Sequence, residues 1–171
     1  KANGWGEIQC IEIAGVQGDS TNTARMDGYR EGITEAGGEF LDNETQYANA
    51  TADLAVTAME GIMSKYPDGV AIICSNNDDM ALAAARTAKS NPNYAKTIFL
   101  GFDGQKSACE AVAAGELTMT AAQNNFDIGY KAVELAVKAA NGEAVEDVDT
   151  GAQWYDASNI DDEMIAMLVY D

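Results

Sequence analysis

Three apolar runs in this chain stop abruptly at polar residues. They are Ile72-Ile-Cys-Ser-Asn-Asn-Asp-Asp, Ile98-Phe-Leu-Gly-Phe-Asp-Gly-Gln and Ile11-Glu-Ile-Ala-Gly-Val-Gln-Gly-Asp-Ser. Each reads as a strand running into a loop whose side chains could hold a polar ligand. Four side chains stand at or just beyond such stops: Arg25, Asn77, Asp103 and Gln123. A guanidinium offers a rigid fork of donors. Asn and Gln both donate and accept, and an ionised Asp only accepts. A hydroxyl group does both, so this mixture suits a small hydroxyl-rich molecule. Each residue also has a plainer role open to it. Asn77 and Asp103 could cap helices, Arg25 could pair with Asp27 or Asp19, and Gln123 could make a loop hydrogen bond. Their common position at strand carboxyl ends, where open α/β sheets bind ligands, favours the group over its members.

Other chemistry finds little support. The chain has no histidine, the commonest general base and metal ligand. It contains no G-x-x-x-x-G-K-[ST] phosphate cradle and no G-x-S-x-G elbow, and Gly15-Val-Gln-Gly18 lacks the third glycine of a dinucleotide fingerprint. The adjacent carboxylates Asp78 and Asp79 read as a solvated helix start, where the helix dipole favours them. Cys10, Cys74 and Cys109 are isolated and read as small core residues rather than a disulfide or metal set. No cofactor and no metal are expected. The formal charge of -18 repels phosphate backbones and anionic membranes, so no nucleic-acid partner is expected. No apolar run approaches the roughly 20 residues that span a bilayer. At 171 residues the length suits one domain. A start at Lys1, without Met or a signal peptide, reads as a processed product or a fragment.

The elements that must carry these residues alternate. Strands are predicted over 8–13, 70–74, 97–100 and 118–122, with short candidates at 39–41 and 153–155. Helices are predicted over 23–36, 51–66, 80–90, 106–114 and 126–141. Gly37-Gly38, Gly115 and Gly142 supply stops. Val56, Met59, Ile62 and Met63 form one helical face, and Ile128, Ala132, Leu135 and Ala139 another. Alternation with near-continuous apolar strands predicts an α/β fold: a doubly wound, mainly parallel sheet with helices on both faces.

Four motifs in order, Ala24-Arg-Met-Asp-Gly-Tyr29, Asn76-Asn-Asp-Asp-Met-Ala81, Gly101-Phe-Asp-Gly104 and Ala121-Ala-Gln-Asn124, carry a family likeness. The chain resembles the carboxyl-terminal lobe of the type I periplasmic sugar-binding proteins, the ribose- and galactose-type solute-binding components of ABC importers. The resemblance implies a non-enzymatic, extracytoplasmic bacterial protein that binds a monosaccharide or similar polyol between two hinged lobes and delivers it to an ABC permease. Arg25, Asn77, Asp103 and Gln123 match the family's sugar-binding arginine, asparagine, aspartate and hinge glutamine. It also implies three segments: 1–123 as the ligand-binding lobe, 124–148 as an excursion belonging to a missing amino-terminal lobe, and 149–171 as the return. The helix at 126–141 would then lack its cover and self-associate. The sequence departs from the family at Ala50, where many relatives place a stacking aromatic; Tyr47 is the nearest ring. Two other readings share the two-lobe fold: the effector domain of a LacI-type transcriptional regulator, and the sugar-sensing domain of a membrane receptor.

Overall fold

Apolar runs of four to six residues make the central strands. The structure, a computed structural model, describes residues 3–162 and 168–169, so the ends of the first and third expected segments fall outside it. The strands are β1 (Gln9–Ala14), β2 (Glu39–Phe40), β3 (Gln46–Tyr47), β4 (Ile72–Ser75), β5 (Ile98–Asp103), β6 (Met119–Gln123) and β7 (Ala152–Asp156). The helices are α1 (Ser20–Glu35), α2 (Ala52–Lys65), α3 (Asp78–Ala88), α4 (Lys106–Ala113) and α5 (Asn125–Ala140). The sheet order is β2-β1-β4-β5-β6-β7, with β3 continuing the edge beside β1. All pairings are parallel except β6 with β7, so the mainly parallel sheet expected from the sequence is present.

The side-chain alternation of β1 and β4 divides the core. Ile11, Ile13 and Ile73 face α2, α3 and α4, packing with Met59, Ile62, Met80 and Val112. Cys10, Ile72 and Cys74 face α1, packing with Tyr29 and Met26. Helices thus cover both faces, three on one and one on the other among the described residues. Alanines at 81, 84, 85 and 88 in α3 are buried. Their small side chains let α3 pack closely against α2, which presents Ala55, Met59 and Ile62.

Three of the differences from expectation have a clear physical reason. Helix α1 starts at Ser20, three residues early, because the Asp19 side chain caps it by accepting from Asn22 N at 2.8 Å. Strand β3 lies in a stretch expected to be a polar loop. It exists only because Gln46 and Tyr47 pair with Ile13 and Ala14. Strand β5 continues to Asp103, so Asp103 ends a strand rather than sitting in a loop. A larger correction concerns Asp78. It is fully buried, not a solvated helix start, while its neighbour Asp79 is exposed. The three cysteines are buried and free, with the Cys10 and Cys74 Sγ atoms 3.4 Å apart.

The helix predicted over 126–141 is α5, yet none of its residues is buried. Of its expected stripe, Ile128, Ala132 and Ala139 are exposed and Leu135 is half-buried. A second apolar row that the sequence reading did not single out, Phe126, Tyr130, Val133 and Val137, is 76%, 59%, 66% and 56% exposed.

Candidate functional site

The chain leaves β1 toward β2 and β3 on one side, then returns to β4 on the other. That makes the gap between the carboxyl ends of β1 and β4 a topological switch point, where doubly wound sheets bind ligands. Arg25 reaches it from the first turns of α1. Its Nη1 donates to the Asn76 carbonyl at 2.7 Å, just past the end of β4. Its Nη2 pairs with Asp103 Oδ1 at 3.2 Å, at the end of β5. Its guanidinium lies over the Phe102 ring, 4.0 Å from the centroid. Stacking and two polar anchors leave this long side chain one position. Gln123, the last residue of β6, donates from Nε2 to the same Asp103 oxygen at 2.8 Å. Neither plainer partner holds Arg25: Asp27 pairs with Arg30, and Asp19 caps α1 through Asn22 N.

Asp103 is therefore the node. Burial raises its carboxyl above the ordinary value, and Arg25 and Gln123 act in the opposite direction. Its backbone φ is +121°, a left-handed value that non-glycine residues rarely adopt. Such strain persists only where the surroundings enforce it, and it collects at ligand sites. Gly104 follows at φ +82°, and a Cβ there would fall 2.6 Å from Ala122 Cα. Only glycine lets the turn after β5 lie this close to β6.

Asn77 sits at the same end of the sheet and does cap a helix. Its Oδ1 accepts from Met80 N at 2.9 Å, and its Nδ2 donates to the Ala50 carbonyl at 3.2 Å. That carbonyl belongs to a turn in which Asn49 and Ala50 both have positive φ, +48° and +59°. Ala50 thus brings only a methyl group to the mouth, and Tyr47, on β3, is half exposed. Arg25, Asn77, Asn76, Ala50 and Gly15 share an open cavity of about 110 Å³. The structure joins Arg25 and Gln123 through Asp103, and Asn77 lines the cavity with Arg25.

Sequence reasoning missed the groups beneath this surface. Asn76 is buried; its Nδ2 donates to Glu12 Oε1 at 2.6 Å while its carbonyl holds Arg25. Glu12 is fully buried on β1, and burial pushes its carboxyl up to about 7. The signal was a lone carboxylate inside the apolar run Cys10 to Ala14. A buried carboxyl of this kind must find a partner. Among the described residues no group of three or more Cys, Asp and Glu side chains could hold a metal ion.

Polar side chains converge at the switch point of a mostly parallel α/β sheet, the place where such sheets carry ligand sites. The comparisons give the family: residues 2–144 match the model described as a periplasmic binding protein domain, and the chain belongs to that family. The ribose import binding protein of Salmonella typhimurium is 33% identical over 136 residues, which is 80% of this chain and 45% of that protein. A solved ABC transporter solute-binding protein from Bacillus halodurans, with bound myo-inositol, superposes with a TM-score of 0.81 at 28% identity. The match covers 94% of this chain and 55% of that one. The HTH-type transcriptional regulator CelR of Thermobifida fusca is 29% identical over 84% of this chain and 42% of its own length. The chain spans about half the length of the relatives it matches.

Proposed function

We propose that this chain is the carboxyl-terminal lobe of an extracytoplasmic solute-binding protein that captures a monosaccharide or similar polyol for an ABC importer. The observation that carries this reading is the convergence on Asp103. A strained carboxylate, an arginine clamped by stacking and an amide meet at neighbouring strand ends, and Asn77 lines an open cavity together with that arginine. Arg25, Asn77, Asp103 and Gln123 are its ligand-binding residues. Vicinal hydroxyls can accept from Arg25 and Gln123 while donating to Asp103. The similarity to ribose-binding and inositol-binding proteins supports the same class of ligand. With only a methyl at Ala50, ring stacking on the ligand comes from elsewhere.

A second lobe follows from this reading. Residues 124–148 belong to an amino-terminal lobe, and that lobe covers α5 and closes over the ligand about a hinge. The uncovered apolar side chains of α5 support this, because such faces mark association surfaces. The 171-residue chain alone would then self-associate through α5. Light scattering across a dilution series reads this directly, and a monomer at every concentration rejects it.

Calorimetric titration of the intact protein with pentoses, hexoses and inositols tests the function. Binding of at least one polyol is expected. No response to any of them, with clear binding of another ligand class, overturns the reading. The likeness to CelR favours one alternative, the effector domain of a transcriptional regulator. A DNA-binding helical unit in the intact protein, with operator binding that a sugar relieves, would decide for it.

A further inference from the structure

The network below the site involves a buried residue that does not line the cavity. We propose that Asp78 is the positioning residue of the sugar site: its buried carboxylate ties the turn after β5 to β6 and so holds Asp103 against Arg25. This deepens the proposed function and rests on it.

Asp78 is the first residue of α3 and is fully buried. Its Oδ2 accepts from two successive backbone N–H groups beyond Asp103, Gly104 N at 2.9 Å and Gln105 N at 2.8 Å. Its Oδ1 accepts from the Thr120 hydroxyl at 2.7 Å, in the middle of β6. One carboxylate therefore links the start of α3, the turn after β5 and the body of β6. Burial pushes this carboxyl up to about 6, against the hydrogen bonds that favour the ion. A charge placed at that cost needs its donors.

The chain also leaves room for it. A Cβ at Gly101 would fall inside contact distance of Asp78 Oδ1, so only glycine fits on β5 beneath the carboxylate. The backbone that Asp78 grips begins immediately after Asp103, whose φ of +121° needs external support. Asp78 makes no hydrogen bond to Arg25, Asn77 or Gln123, and the backbone it holds leads directly to Asp103.

The test is a double-mutant cycle on the intact two-lobe protein. Calorimetry with D-ribose, D-allose and myo-inositol first identifies a probe that the wild type binds. Asp78→Ala is expected to weaken that probe roughly 5- to 100-fold, the loss of one buried polar contact. In an Asp103→Ala background the same change is expected to add less than about threefold. Asp78→Asn keeps an oxygen for the Gly104 and Gln105 N–H groups and is expected to restore most of the affinity. If Asp78→Ala fails to fold, Gly101→Ala displaces the carboxylate sterically and runs the same cycle. Additive losses, or an Asp78→Ala protein with full affinity, overturn the proposal. A crystal structure of the variant gives a readout that needs no ligand. Asp103 is expected to leave its left-handed φ and to part from Arg25. If it keeps both, the proposal fails even though the sugar reading stands. If the wild type binds no probe, the sugar reading falls, and the crystal structure still decides whether Asp78 positions Asp103.

Discussion

Replacing Glu12 by Gln should remove most of a pH dependence that the fold builds into its core. Glu12 is fully buried on β1 and accepts one hydrogen bond, from Asn76 Nδ2 at 2.6 Å. Its other oxygen has no hydrogen-bond partner among the described residues. Burial dominates and raises the carboxyl from 4.5 to about 7, with the Asn76 bond and Arg30 opposing and Asp27 assisting. A group raised in the folded state stabilises most below its unfolded value and loses that contribution as pH climbs through the folded one. The separation of about 2.5 pH units corresponds to about 3.5 kcal/mol at about 1.4 kcal/mol per unit. Between pH 5 and pH 8 the share lost is about 2.5 kcal/mol. Glutamine cannot ionise. Whatever Glu12→Gln does to packing, its stability relative to wild type should therefore rise by about 2.5 kcal/mol from pH 5 to pH 8. Asp78, raised to about 6 by burial, leaves a smaller slope of the same sign in both proteins. Urea unfolding of the intact protein at the two pH values, followed by tryptophan fluorescence, measures the difference. Equal pH dependence in wild type and variant would refute the reasoning. It would show that Glu12 is solvated or already neutral across the range.

Other outcomes follow from the same geometry. Arg25→Ala and Asp103→Ala should each weaken binding of the intact protein's polyol ligand by about 1–3 kcal/mol, since each leaves a half-buried partner unpaired. Calorimetry checks this, and an unchanged affinity for either variant removes that residue from the site. Gly104→Ala should lower both affinity and thermal stability, because its Cβ would meet Ala122 at 2.6 Å in a left-handed backbone; a variant with the wild-type melting temperature contradicts the close approach. Met59→Ala should destabilise by about 2–5 kcal/mol through the cavity left between α2 and the sheet, with little effect on affinity at fixed folded fraction. The thiols should react slowly with an aromatic disulfide reagent at pH 8 in the native state, since all three are buried and burial raises Cys109 to about 11. Three equivalents released at once without denaturant would contradict that burial.

Much of the fold was legible because it is written in local signals. Runs such as Ile72 to Ser75 are apolar on both faces, as parallel strands between helix layers must be. Glycines at 37, 115 and 142 take positive φ just beyond helices α1, α4 and α5, as the stops suggested. That Asp103 and Gln123 stand at the carboxyl edge was legible for a related reason. A strand that ends in a polar side chain delivers it to the carboxyl edge whichever strand lies beside it.

What stayed hidden depends on partners distant in sequence. Strand β3 has no apolar pattern of its own and exists through pairing with Ile13 and Ala14. Asp78 and Asp79 are adjacent and chemically alike, yet one is fully buried with three donors from β6 and the turn after β5, and the other is exposed. Propensity cannot separate them, because the difference lies in what packs above the helix start. The residue types and order of this chain determined a parallel α/β sheet with polar side chains at its carboxyl edge. Only the tertiary structure decided that Arg25 and Gln123 share one oxygen of Asp103. Side-chain pairing across strands depends on register, twist and burial, and these are set by the whole sheet together.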